Sequence, residues 1–237
     1  MAHVVLIHPF PQDSSFWDDV ATALRTAGHE VTAPNLPGFG GRAPEPGWTM
    51  AGEAHRLAGE LPEGAAVVGL SMGGYLALAL LATHPDRLGS LVLADTRASA
   101  EAPEGLAARR EAAAMLRRDG SAAFLDGFVP RAVAPDAGPQ VVARLREIAA
   151  RQPAEAMADA TMAIATRDDH TALLPDIAVP TLVVVGEYDV VTPPAVHTDM
   201  AAAIPGATLA IIGGTGHMTA LEQPAEFADL LLSHLGT

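Results

Sequence analysis

The chain has 237 residues, of which 49% are hydrophobic and 18% charged, and it carries a formal net charge of −14. That length and balance predict one soluble globular domain with an ample core, and the acidity repels phosphate backbones, so no nucleic-acid partner is expected. Cysteine is absent and all 14 basic residues are arginine, which removes disulfides, thiolate nucleophiles and Schiff-base lysine chemistry.

In chain order, Val4-Val5-Leu6-Ile7 predicts a buried strand over residues 3–8 that runs into His8-Pro9-Phe10-Pro11. Helical patterns near 14–27 and 50–60 flank a second strand at 30–34. The third strand, at 66–70, enters Gly69-Leu70-Ser71-Met72-Gly73-Gly74 and then a helix over 73–83. A fourth strand at 90–94 ends in Ala94-Asp95-Thr96-Arg97. From residue 98 to 174 no strand pattern occurs, only helical stretches separated by Gly120, Pro130, Pro135, Pro139 and Pro153. Strands at 180–186 and 207–212, with helices near 194–203 and 223–235, complete the chain. The expected fold class is therefore α/β, a doubly wound and mostly parallel sheet of about six strands, with ligands at the carboxyl ends of the strands. The core is expected from 1–97 and 175–237, with 98–174 as a helical insertion.

Gly69-x-Ser71-x-Gly73 between an apolar strand and a helix reads as a nucleophile elbow. Serine at the tip of such a turn is strained, only very small residues fit two positions either side of it, and the helix N-terminus points N–H groups at its oxygen. A serine hydroxyl is a weak nucleophile near neutral pH and needs an oriented base. Pro180 to Asp189 is an apolar run ending in Gly186-Glu187-Tyr188-Asp189, and Ala207 to His217 ends in Gly213-Gly214-Thr215-Gly216-His217. Each is a strand followed by a Gly turn, so Asp189 and His217 are the expected acid and base. Asp95 also follows a strand and competes for the acid role; Asp189 is preferred, leaving Asp95 to support the site or anchor the insertion. The other histidines, including His3, His29, His55, His84, His197 and His234, sit among helix ends and surfaces in this reading and are expected to be structural. Glu53-x-His55 and Asp168-Asp169-His170 lack the spacing of a metal site, and neither a metal nor a cofactor is expected.

The elbow at Ser71, the Gly186-x-x-Asp189 and Gly216-His217 turns, and Leu6-Ile7-His8-Pro9-Phe10-Pro11 together resemble the α/β-hydrolase fold superfamily almost end to end. Gly-Leu-Ser-Met-Gly-Gly, Ala-Asp-Thr-Arg and Gly-His-x-x-x-Leu-Glu-Gln-Pro are most similar to small bacterial carboxylesterases and 3-oxoadipate enol-lactonase-like hydrolases. The resemblance implies that the backbone N–H groups of Phe10 and Met72 form the oxyanion hole, that His8 holds the loop before it, and that 98–174 is a cap over Ser71. Phe124, Phe128, Met115, Met157 and Met162 are candidates for the cap's pocket face, or alternatively pack the cap helices together. The chain departs from the superfamily in reading His8-Pro9 for His-Gly and in lacking the usual first β-hairpin.

Serine at the elbow argues against dehalogenase and epoxide hydrolase chemistry, which use aspartate there. The expected function is a serine hydrolase acting on carboxylic esters of small to medium acyl groups through a Ser71-His217-Asp189 acyl-enzyme. Enol-lactone or C–C bond hydrolysis on the same residues, or a small-molecule receptor or regulatory protein that keeps them, are the alternatives. The expected partner is a small-molecule ester or lactone, without nucleic acid or membrane, in a cytoplasmic protein whose oligomeric state the sequence leaves open.

Overall fold

Short aliphatic and β-branched runs without polar alternation are satisfied only where both faces of a sheet are covered. In the computed structural model, which describes residues 1–236, such runs form β1 His3–Ile7, β3 Ala65–Leu70, β4 Leu88–Ala94 and β5 Thr181–Gly186, and the partly exposed edge strands β2 Glu30–Thr32 and β6 Thr208–Ile212 flank them. They form a single sheet in the order β2-β1-β3-β4-β5-β6, and every pairing is parallel. All residues of β3 and β5 are buried, as strands in the middle of a covered sheet must be.

The crossovers β1–α1–β2 and β3–α3–β4 run in opposite directions across the sheet. Because parallel crossovers are right-handed, their helices fall on opposite faces. Accordingly α1 (Asp18–Thr26) packs with α10 (Pro224–His234), while α2 (Met50–Ala58) packs with α3 (Met72–Thr83). The reversal leaves a crevice at the carboxyl ends of β1 and β3, where ligands collect in this architecture. Among the described residues, no helix is long and apolar enough to cross a membrane.

Residues 98–174 hold α4 (Pro103–Asp119), α5 (Ala122–Ala132), α6 (Pro139–Ala150) and α7 (Ala154–Ala165), with α4 packed on α7 and α5 on α6. Pro139 opens α6 at its first turn and Pro153 immediately precedes α7, positions where a missing N–H costs nothing. Pro130 departs from the sequence reading, because it lies inside the last turn of α5 instead of separating two helices. The helix expected near 223–235 is present as α10, and a further short helix precedes it. Pro224 disfavours helical geometry at the residue before it, and Gln223 accordingly sits at φ −135°. The break leaves a separate short helix, α9 (Thr219–Glu222), directly after His217. Between β5 and β6, α8 (Pro194–Ala203) completes the layer.

Candidate active site

Ser71 follows β3 with φ 53° and ψ −110°, a conformation that costs a non-glycine residue roughly 1–3 kcal/mol. Close approach explains the two flanking glycines. A Cβ on Gly69 would collide with the Gly73 carbonyl, and one on Gly73 with the carbonyl oxygen of Ile7 in β1. The turn is over-determined by hydrogen bonds: the Ser71 N–H donates to the Ala94 carbonyl at 2.8 Å, and its own carbonyl accepts from the N–H of Gly74 and the Thr96 hydroxyl, each at 2.9 Å.

The structure brings Ser71, His217 and Asp189 together from three strand ends. Ser71 Oγ lies 2.8 Å from His217 Nε2, and His217 Nδ1 lies 2.8 Å from Asp189 Oδ2. All three side chains are buried. Asp189 Oδ1 accepts the N–H groups of Val191 and Thr192, and Oδ2 also takes the Thr192 hydroxyl at 2.8 Å. Burial pushes the Asp189 carboxyl up, but the His217 imidazole and the Thr192 donors outweigh it and hold the group below its ordinary value.

Asp95 leaves β4 at φ 47° and is fully buried. Its Oδ1 accepts the Gly186 N–H at 3.1 Å, and its Oδ2 accepts the Thr219 N–H and hydroxyl at 3.2 and 2.5 Å. Burial first, and the Asp189 carboxylate second, push it well above the ordinary carboxylate range.

Two contributors escaped the sequence reading. Glu222, in α9, accepts the N–H groups of Gly216 and Met218 on Oε1 at 2.9 and 3.2 Å, and that of Ala134 on Oε2 at 2.8 Å. It clasps the turn on both sides of His217 to the segment after α5. Only the Leu-Glu-Gln-Pro string hinted at it. His197, expected among helix ends and surfaces, is instead completely buried, and its Nε2 accepts the Thr96 N–H at 2.8 Å. His29 is buried as well.

In the loop after β1, the Phe10–Pro11 peptide bond is cis. His8 is fully buried; its Nδ1–H donates to the Pro9 carbonyl at 3.0 Å and its Nε2 accepts the Leu36 N–H at 3.0 Å. Burial lowers its pKa to about 4, so the ring is neutral with this tautomer. Met72 stands at the first position of α3, where an N–H has no intrahelical acceptor.

A cavity of about 270 Å³ opens onto Ser71 and His217. Phe10, Phe124, Phe128, Ile164 and Val191 give it apolar walls, with Phe124 and Phe128 stacked on each other and edge-on to Phe10. Of the cap candidates, Phe124 and Phe128 line this cavity, whereas Met157 is buried in the hydrophobic core and Met162 packs against it. A larger cavity of about 530 Å³, between Gly38–Pro44 and α7, shares no lining residue with it and contains no serine. Among the described residues, no group of three or more His, Asp or Glu side chains is placed to hold a metal ion.

Residues 4–230 match the alpha/beta hydrolase family. A pimeloyl-[acyl-carrier protein] methyl ester esterase from Aromatoleum aromaticum is 31% identical, over 96% of this chain and 96% of that protein. Among solved structures, a thermophilic esterase from Thermogutta terrifontis, in a malate-bound form, superposes with a TM-score of 0.95 at 34% identity, covering 100% of this chain and 90% of its own. The enol-lactonase from Burkholderia xenovorans LB400 gives a TM-score of 0.89 at 28% identity, covering 100% of this chain and 92% of its own.

Proposed function

The chain belongs to the alpha/beta hydrolase family, and we propose that it is a carboxylic ester hydrolase working through an acyl-enzyme on Ser71. The observation that carries this reading is the continuous line of hydrogen bonds from Ser71 Oγ through His217 to Asp189 on the floor of the 270 Å³ cavity. The esterase names of its relatives at 31% and 34% identity support it.

In this mechanism His217 Nε2 takes the Ser71 proton as Oγ attacks the ester carbonyl carbon. The developing oxyanion is held by the Phe10 and Met72 N–H groups, each such donor typically contributing about 3 kcal/mol to the transition state. Asp189 orients the imidazole and stabilises its protonated form. Collapse breaks the ester C–O bond, and the proton passes from His217 to the departing alcohol. Water, deprotonated by His217, then attacks the acyl carbon; the bond from that carbon to Ser71 Oγ breaks, His217 gives the proton to Oγ, and the carboxylic acid leaves. His8 would hold the loop carrying Phe10, and residues 98–174 would act as the cap whose Phe124 and Phe128 limit the acyl group to small or medium size.

Enol-lactone opening is the second reading, favoured by the likeness to the Burkholderia enol-lactonase; it uses the same attack, with the leaving oxygen kept on the product. Steady-state hydrolysis of p-nitrophenyl esters from acetate to decanoate, for the native chain and Ser71→Ala, tests the proposal. The expected result is turnover that peaks at a short acyl chain and is lost in the variant. Turnover that survives Ser71→Ala, or a single burst without steady state, would overturn it.

A further inference from the structure

The Ser71 cavity has a second chemical character that ester hydrolysis does not call for. Beside its aromatic and aliphatic walls it is lined by three guanidinium groups, those of Arg97 after β4, Arg109 on α4 and Arg131 on α5. In a chain of net charge −14, acids to neutralise them are plentiful elsewhere but scarce here. Glu101, whose side chain is 8% exposed, is shared among Arg109 at 2.5 Å, Arg167 at 3.3 Å and Arg97 at 3.8 Å. One carboxylate thus faces three cations. Arg167 belongs to the framework, since its guanidinium lies 4.1 Å above the Tyr75 ring and donates to the Ser99 and Ile164 carbonyls. Arg97 keeps a buried Nε–H with no acceptor. Arg131 is exposed at the cavity mouth, and no carboxylate among the described residues pairs with it. With Glu101 the one carboxylate shared between Arg97 and Arg109, the wall of the cavity that holds the nucleophile carries an excess of positive charge.

We propose that Arg97, Arg109 and Arg131 make the Ser71 cavity a carboxylate-binding site, so that the substrate is an ester whose acyl part ends in a free carboxylate, the half-ester of a short dicarboxylic acid. The inference rests on the esterase reading and adds a substrate class to it. The two kinds of lining match the two parts of such a molecule: phenylalanine rings cover the methylenes, and guanidinium groups take the distal anion through charge-assisted and bidentate hydrogen bonds. A cavity of 270 Å³ lies just below the usual range for ligand pockets, which suits a chain of few methylenes.

The test compares kcat/KM for monomethyl glutarate and monomethyl adipate with that for methyl valerate and methyl hexanoate, in the native chain and in Arg131→Gln and Arg131→Glu, together with calorimetric binding of glutarate to Ser71→Ala. The native chain is expected to prefer the half-esters at least tenfold. Arg131→Gln should cut that preference about ten- to a hundredfold through KM, not kcat, and Arg131→Glu should cut it further. Glutarate should bind Ser71→Ala, more weakly once Arg131→Gln is added. A native preference for the neutral esters, or a ratio unmoved by both Arg131 variants, overturns the proposal. Turnover of neutral esters without glutarate binding would sink the carboxylate site and leave the esterase reading standing. Glutarate binding without turnover of any ester would do the reverse.

Discussion

Asp95 and Asp189 leave adjacent parallel strands, yet Asp189 meets His217 at 2.8 Å while Asp95 meets Thr219, two residues further along the same turn, at 2.5 Å. The two carboxyls therefore hold opposite ends of one short segment, and their environments drive their proton affinities apart: Asp189 down and Asp95 up.

Turnover should separate the pair. Asp189→Asn removes the acceptor that selects the His217 tautomer and is expected to lower kcat by about 10⁴-fold, the scale seen when a triad aspartate is so changed. Asp95→Asn keeps a side chain of the same shape on Gly186 and Thr219 and should retain activity within about tenfold. Steady-state kinetics of both variants on one ester decides between them, and the reverse order would make Asp95 the acid.

Asp95 also predicts a slope in stability. Its unfolded pKa is about 3.9 and its folded value lies well above the ordinary one. As pH rises past about 4, the unfolded chain releases a proton that the folded chain keeps, so this group favours unfolding increasingly until the folded pKa is reached. Asp95→Asn cannot ionise and lacks the slope. Its Tm relative to the native chain should therefore rise from pH 4 to pH 8; a constant difference would show that Asp95 is ionised in the folded protein.

Two buried imidazoles act in the opposite sense. Burial lowers His8 and His197 from 6.5 to about 4. Between pH 6.5 and 4 the unfolded chain takes up protons that the folded chain refuses, so stability falls as the pH falls, by on the order of 3 kcal/mol for each ring across the window. Calorimetric unfolding at pH 5 in buffers of different ionisation enthalpy should show net proton uptake, reduced by nearly one in His197→Gln.

Glu222 holds the backbone on either side of His217 without touching Ser71 Oγ. Glu222→Gln replaces one of its two acceptor oxygens with a donor, opposing either the Gly216 and Met218 N–H groups or that of Ala134. A displaced imidazole should cost about ten- to a hundredfold in kcat. Amide hydrogen exchange at Gly216 should quicken in parallel, and kinetics that change while exchange does not would assign Glu222 another role.

Much of this protein is local and was open to reading from residues alone. The central strands are short apolar runs ended by turns, and the turns after β3, β5 and β6 deliver Ser71, Asp189 and His217 because Gly69, Gly73, Gly186 and Gly216 leave room where backbones nearly touch. Periodicity and turn chemistry act over a few residues, which is why they survive in one dimension. What tertiary structure alone decided depends on chain segments far apart in sequence. Whether Asp95 or Asp189 meets His217 is set by strand register, and Pro130 is held inside α5 although it removes an N–H that the helix would use. His197 is buried because α8 lies against β5 and β6, and Glu222 clasps Ala134 across 88 positions. The convergence of Arg97, Arg109 and Arg131 on one cavity is of the same kind, since no spacing rule relates a strand end to two helices whose packing brings them over it.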